Sequence, residues 1–83
     1  MFKADVWVTL KKSILDPQGQ AIKDALHALN YQEVRDARLG KLVQVELEAS
    51  SKEEAHHKIS EMCEKLLANT VIEDYQIHIT EVQ

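Results

Sequence analysis

Met62-Cys63-Glu64-Lys65-Leu66-Leu67-Ala68-Asn69-Thr70-Val71-Ile72-Glu73-Asp74-Tyr75-Gln76-Ile77-His78-Ile79 changes its period halfway. Up to Leu66 the apolar residues, counted from Ala55, recur at helical spacing: Ala55, Ile59, Met62, Cys63, Leu66. After Asn69 they alternate, with Tyr75, Ile77 and Ile79 set against Asp74, Gln76, His78 and Thr80. Asn69 stands at the switch, where a residue tolerant of the left-handed conformation can end a helix. The stretch therefore reads as helix, turn and strand. A helix buries one stripe and a strand one face, so the unit needs a sheet from the rest of the chain.

Working outward, Ser51-Lys52-Glu53-Glu54 has the serine-to-glutamate spacing of a capping box and opens that helix, which is expected to end near Ala68. At the other end of the chain, Phe2, Ala4, Val6, Val8 and Leu10 alternate with Lys3, Asp5, Trp7 and Thr9, the pattern of a half-buried strand. Trp7 interrupts its polar face and reads either as a rim tryptophan covered by a neighbouring side chain or as an interface anchor on a face buried by another subunit. Asp16-Pro17 offers a side-chain acceptor and then a residue suited to the first helical position. The helix it opens runs to about Leu29, with Ile22, Ala25, Leu26 and Leu29 on one stripe. Residues 34–49 alternate but are too long for one ordinary strand. A hairpin with a Gly40-to-Leu42 loop keeps Leu39, Val43, Ala37 and Val45 on one face. A single strand kinked by a bulge at Gly40 keeps the same parity, and both remain open.

The predicted order is strand, helix, strand, strand, helix, strand. The economical arrangement is α+β: a ferredoxin-like βαββαβ unit, with an antiparallel sheet and both helices on one face. One domain spans residues 1–83. A chain this short buries little surface, and its single cysteine, Cys63, can form no internal disulfide. Association through the open sheet face, as a homodimer or tetramer, is the expected remedy. The lone thiol and the lack of an N-terminal apolar segment fit a cytoplasmic protein. A formal net charge of −4 with scattered Lys and Arg argues against nucleic acid or a membrane as partner.

No set of reacting residues emerges. His56 and His57 are adjacent and point about 100° apart on a helix, and only His57–Glu61 has paired-ligand spacing. Cys63 lies on the apolar stripe, where a buried thiol is inert. Gly19 and Gly40 are isolated and make no phosphate loop. The expectation is no catalytic, cofactor-binding or metal residue in this chain.

Three stretches carry a family resemblance. Cys63-Glu-Lys-Leu-Leu-Ala-Asn-Thr-Val-Ile-Glu-Asp-Tyr75 is similar to the C-terminal segment of PurS proteins. Leu15-Asp16-Pro17-Gln18-Gly19 followed by Ala25-Leu26-His27, and Arg35-Asp36-Ala37-Arg38-Leu39-Gly40-Lys41 with the alternation after it, resemble the same family. The resemblance implies the small, non-catalytic subunit of phosphoribosylformylglycinamidine synthase in purine biosynthesis. Its implied partners are a large ATP-dependent synthase subunit, which would hold ATP and magnesium, and a glutaminase subunit. Its implied role is to bridge the two, assisting assembly and ammonia transfer. Interface residues are then expected at Trp7, Arg35, Arg38, Gly40 and Lys41. Two other readings share the fold class. An acylphosphatase-like hydrolase needs an arginine-bearing phosphate loop where Lys11-Lys12-Ser13 stands. A small-ligand-sensing regulatory domain uses a Gly-rich loop after the first strand, which is absent.

Overall fold

The computed structural model describes residues 1–82. Strand β1 (Phe2–Leu10) is followed by helix α1 (Pro17–Ala28), strand β2 (Lys41–Leu47), helix α2 (Lys52–Met62) and strand β3 (Glu73–Glu81). The sheet has three strands in the order β2-β1-β3, with β1 antiparallel to both neighbours. Its alternation is what places β1 centrally. Ala4 lies opposite Val45 and Ile79, and Val6 opposite Val43 and Ile77, so one face is apolar across all three strands. Phe2, Ala4, Val6 and Val8 are buried there.

Helix α2 covers this inner face chiefly over β3 and β1. Ala55, Ile59 and Cys63 are its fully buried residues. Ser51 Oγ accepts from the Glu54 amide at 3.1 Å, the first half of the expected capping box. The return bond differs: the Ser50 hydroxyl donates to the Glu54 carboxylate. That bond, with further help from the Ser50 amide and Lys58, holds the Glu54 pKa below the usual carboxylate value.

Three expectations are corrected. Residues 34–40 form no strand and no hairpin arm, so β2 begins only at Lys41 and the sheet is three-stranded. The backbone groups that a ladder would use are taken by side chains. His27 Nε2 donates to the Val34 carbonyl at 2.7 Å, and the Leu39 amide donates to Asp16 Oδ2 at 2.8 Å. Second, the helices do not share one sheet face equally: α2 packs on β3 and β1, whereas α1 makes no comparable contact with any strand and, among the described residues, adds none to the core cluster. Third, α2 does not run as an α-helix to Ala68. It widens into a π-helical turn at Cys63–Leu67, closed by the Ala68 amide on the Cys63 carbonyl at 3.1 Å. The widened turn shifts the stripe by one residue. Leu66 is 83% exposed, while Leu67 packs against the core.

The left-handed residue is Asn30 (φ 74°), not Asn69. Asn30 ends α1 in a Schellman arrangement: the Asn30 amide donates to the His27 carbonyl and the Tyr31 amide to Leu26. Asn69 acts through its side chain instead. Its Oδ1 accepts from the Val71 amide, and the Asn69 backbone N–H donates to Glu73 Oε1 at 2.7 Å.

Candidate interaction surfaces

Three surfaces and one polar clasp stand out. The clasp lies at the root of α1. Asp16 is the N-cap, and Pro17 follows at the first helical position. Asp16 Oδ1 accepts from the Gly19 amide at 3.0 Å and Oδ2 from Leu39. The carboxylate is 6% exposed, yet its pKa falls below the usual value, chiefly through the Leu39 amide and then that of Gly19. Across the same junction, the Arg38 guanidinium donates to the carbonyls of Ile14 (2.9 Å), Lys12 (3.0 Å) and Lys11 (3.3 Å). A side chain at Gly19 would run into the backbone of Ala37 and Arg38, so α1 and the returning strand-like segment are in close contact there. The result is an arm of α1 and residues 29–40, tied to β1's end and projecting from the sheet.

The second feature is the outer sheet face. Trp7 is 52% exposed there, directly opposite Leu42 on β2 and Gln76 on β3. Leu42 is also exposed. Only the hairpin alternative puts Leu42 in a loop, so the Trp7–Leu42 pair follows once β2 begins at Lys41. Gly40 presses on Val8 and Thr9, where a Cβ would meet Thr9 Cγ2 at 2.6 Å. Lys41 lies beside this pair in the register, opposite Val8. Arg35 is exposed on the arm. Of the five expected interface residues, Trp7 lies on the outer face, Gly40 at the entry to β2, and Lys41 on the inner-face side opposite Val8. The structure turns Arg38 inward on its own chain and leaves Arg35 apart.

The third surface is the apolar pair of α1 and β2. Ile22, Ala25 and Leu29 of α1 are exposed, and Val43, Val45 and Leu47 of β2 are only partly covered. The remaining exposed apolar side chains here are Leu66, in the π-helical turn, and Val71, in the loop after it.

The titratable groups do not assemble into a reacting set. Cys63 is fully buried, and its pKa is raised by burial and then by Glu64. Tyr75 donates to Glu64 Oε2 at 2.7 Å, which pushes the phenol up to about 12. His57 pairs with Glu61 at 2.9 Å on an exposed helix face. Among the described residues, no three His, Cys, Asp or Glu side chains cluster as metal ligands would. Among the described residues, no helix is long and apolar enough to cross a membrane.

A half-covered three-stranded sheet with two helices and a tryptophan exposed on its outer face define a small α+β domain. A family model described as PurS, phosphoribosylformylglycinamidine (FGAM) synthase, matches residues 3–81. The chain belongs to the PurS family. It is 51% identical over 82 residues to the phosphoribosylformylglycinamidine synthase subunit PurS of Bacillus subtilis, spanning 99% of this chain and 96% of that one. The solved structure of Methanocaldococcus jannaschii PurS, one of the subunits of formylglycinamide ribonucleotide amidotransferase in the purine biosynthetic pathway, superposes with a TM-score of 0.90. It shares 37% identity and covers all of both chains. A chain in the structure of PurLQS from Thermotoga maritima superposes at 0.86 with 34% identity, over 95% of this chain and 96% of that one.

Proposed function

We propose that this chain is the assembly subunit of a phosphoribosylformylglycinamidine synthase in the cytoplasm. It bridges the ATP-dependent synthase subunit and the glutaminase subunit and supplies no reacting group. ATP and magnesium belong to the synthase subunit, and the chain assists passage of ammonia between the two active centres by fixing their relative position. The observation that carries this reading is full-length likeness to PurS subunits, one of them within a PurLQS structure, in a fold whose conspicuous features are uncovered contact surfaces.

The chain works as a homo-oligomer, because one copy leaves half of its inner sheet face and one helix unpacked. The outer face, with Trp7 and Leu42 at its centre, receives another subunit. Exposed aromatic anchors on an open face are the usual focus of binding energy.

The test is glutamine-dependent amidine formation by the synthase and glutaminase subunits, with and without this chain. Added chain raises the rate, and Trp7→Ala raises it far less while melting at the wild-type temperature. Equal rates with and without the wild-type chain contradict the proposal.

A further inference from the structure

A π-helical turn is a rare departure from the α-helix, and something has to hold it. Here the Ala68 amide reaches back five residues to the Cys63 carbonyl at 3.1 Å. Leucine burial does not choose this form. With an α-helical turn, the stripe of Ala55, Ile59 and Cys63 continues to Leu66. With the widened turn it continues to Leu67, which packs against the core and leaves Leu66 83% exposed. Each form buries one leucine and exposes the other, so the gain from removing apolar surface from water nearly cancels between them. Ala68, buried just beyond, adds only a methyl.

A polar contact ties the turn to the sheet. The Tyr75 hydroxyl on β3 donates to Glu64 Oε2 at 2.7 Å, across 11 positions. Glu64 follows Cys63 directly and is exposed, whereas Tyr75 is half-buried and packs against the core. A hydrogen bond to a carboxylate is roughly twice as strong as one between neutral groups. Past the turn, the chain enters β3 through a fixed loop. The Ile72 and Glu73 amides both donate to the Asn69 carbonyl, and the Asn69 backbone N–H donates to Glu73 Oε1. The loop sets where the helix ends.

We infer that the Glu64–Tyr75 hydrogen bond is a latch on helical register: it holds Cys63–Leu67 as a π-helical turn with Leu67 inward and Leu66 displayed, and its release lets the turn tighten to an α-helix that exchanges the two leucines. The sequence supplies a leucine for either form, so the core is filled in both. The latch lies on the exposed side of the molecule. A molecule that takes either of its groups therefore also decides whether Leu66 stands on the surface.

Trans-hydrogen-bond couplings in the full-length, isotope-labelled chain read the register directly. In the wild type, the Ala68 amide nitrogen couples to the Cys63 carbonyl carbon, and Leu67 methyls show Overhauser contacts to Ile59. In Glu64→Ala and in Tyr75→Phe, the Ala68 coupling moves to the Glu64 carbonyl, as an α-helical bond requires, and the contacts pass to Leu66. Glu64→Ala trims an exposed side chain to a strong helix former and keeps the test open even should Tyr75→Phe fail to fold. An Ala68–Cys63 coupling retained in Glu64→Ala overturns the latch, as when the Asn69 loop holds the register by itself. Loss of both couplings with both leucines outside the core, a frayed helix end, overturns it as well. Urea unfolding checks the exchange independently. Leu67→Ala lowers the midpoint more than Leu66→Ala in the wild type, and less in the Glu64→Ala background. The same order in both backgrounds overturns the exchange of leucines.

Discussion

Asp16 serves two segments with one carboxylate, capping α1 through Gly19 and holding the returning chain through Leu39. Its depressed pKa sets the sign of a pH effect. A carboxylate depressed on folding stabilises fully above its unfolded value of about 3.9 and loses that contribution as pH falls through the folded value. Wild-type protein therefore shows a loss of stability below about pH 4 that is smaller in Asp16→Asn. Denaturant melts between neutral and acid pH check this, and parallel acid profiles for the two proteins contradict it. Tyr75 titrates the other way. Its phenol, raised to about 12 by the hydrogen bond to Glu64, stabilises fully below the unfolded value of about 10 and loses this as pH rises through the folded value. Ultraviolet titration of the two tyrosines gives one late step, which Glu64→Gln moves earlier. At this scale the sequence was partly legible. The Asp16 cap is a local signal, and it was read. Its bond to Leu39 spans 23 positions and leaves no local trace. The left-handed role fell to Asn30 instead of Asn69, because both asparagines follow helical patterns and only tertiary geometry separates them.

The elements follow the apolar periods closely where packing is two-sided. Strands β1 and β3 and the start of α2 came directly from alternation and capping. The departures share one cause: the period continues, but the backbone does not. Leu39, Val43 and Val45 alternate as a strand does, yet residues 34–40 lie along α1 and bond to side chains. Leu66 fits the α2 stripe, yet the π-helical turn points it to solvent. This gives a paired prediction. Ile59→Ala, in the fully buried core, costs about 2–5 kcal/mol. Leu66→Ala, although equally well placed on the helical wheel, changes the stability of the free protein by about 0.5 kcal/mol or less. Equal losses in urea unfolding would return Leu66 to the core and remove the shift of stripe. Gly19→Ala belongs at this scale too. The added methyl meets the Ala37 carbonyl and Arg38 Cα, so it forces α1 and the returning segment apart. A drop in melting temperature of several degrees is expected, about 4–8 °C for each kcal/mol lost in a domain of this size.

The whole molecule is a fold left open on purpose at three places: the β2 half of the inner face, the stripe of α1 and the outer face around Trp7. Its core contains nine buried apolar residues, few for a chain with no disulfide to close it. Length and composition raise the expectation of association. They do not say which surface would carry it, because that depends on where the arm points, and the arm is set by the clasp. The family was legible from three stretches, since they carry the arm's root, its return and the π-helical turn with the loop beyond it. The account is tested most directly by sedimentation equilibrium of the isolated full-length chain at micromolar concentration. A mass of at least twice the 9.5 kDa protomer is predicted. A stable 9.5 kDa monomer across that range contradicts it.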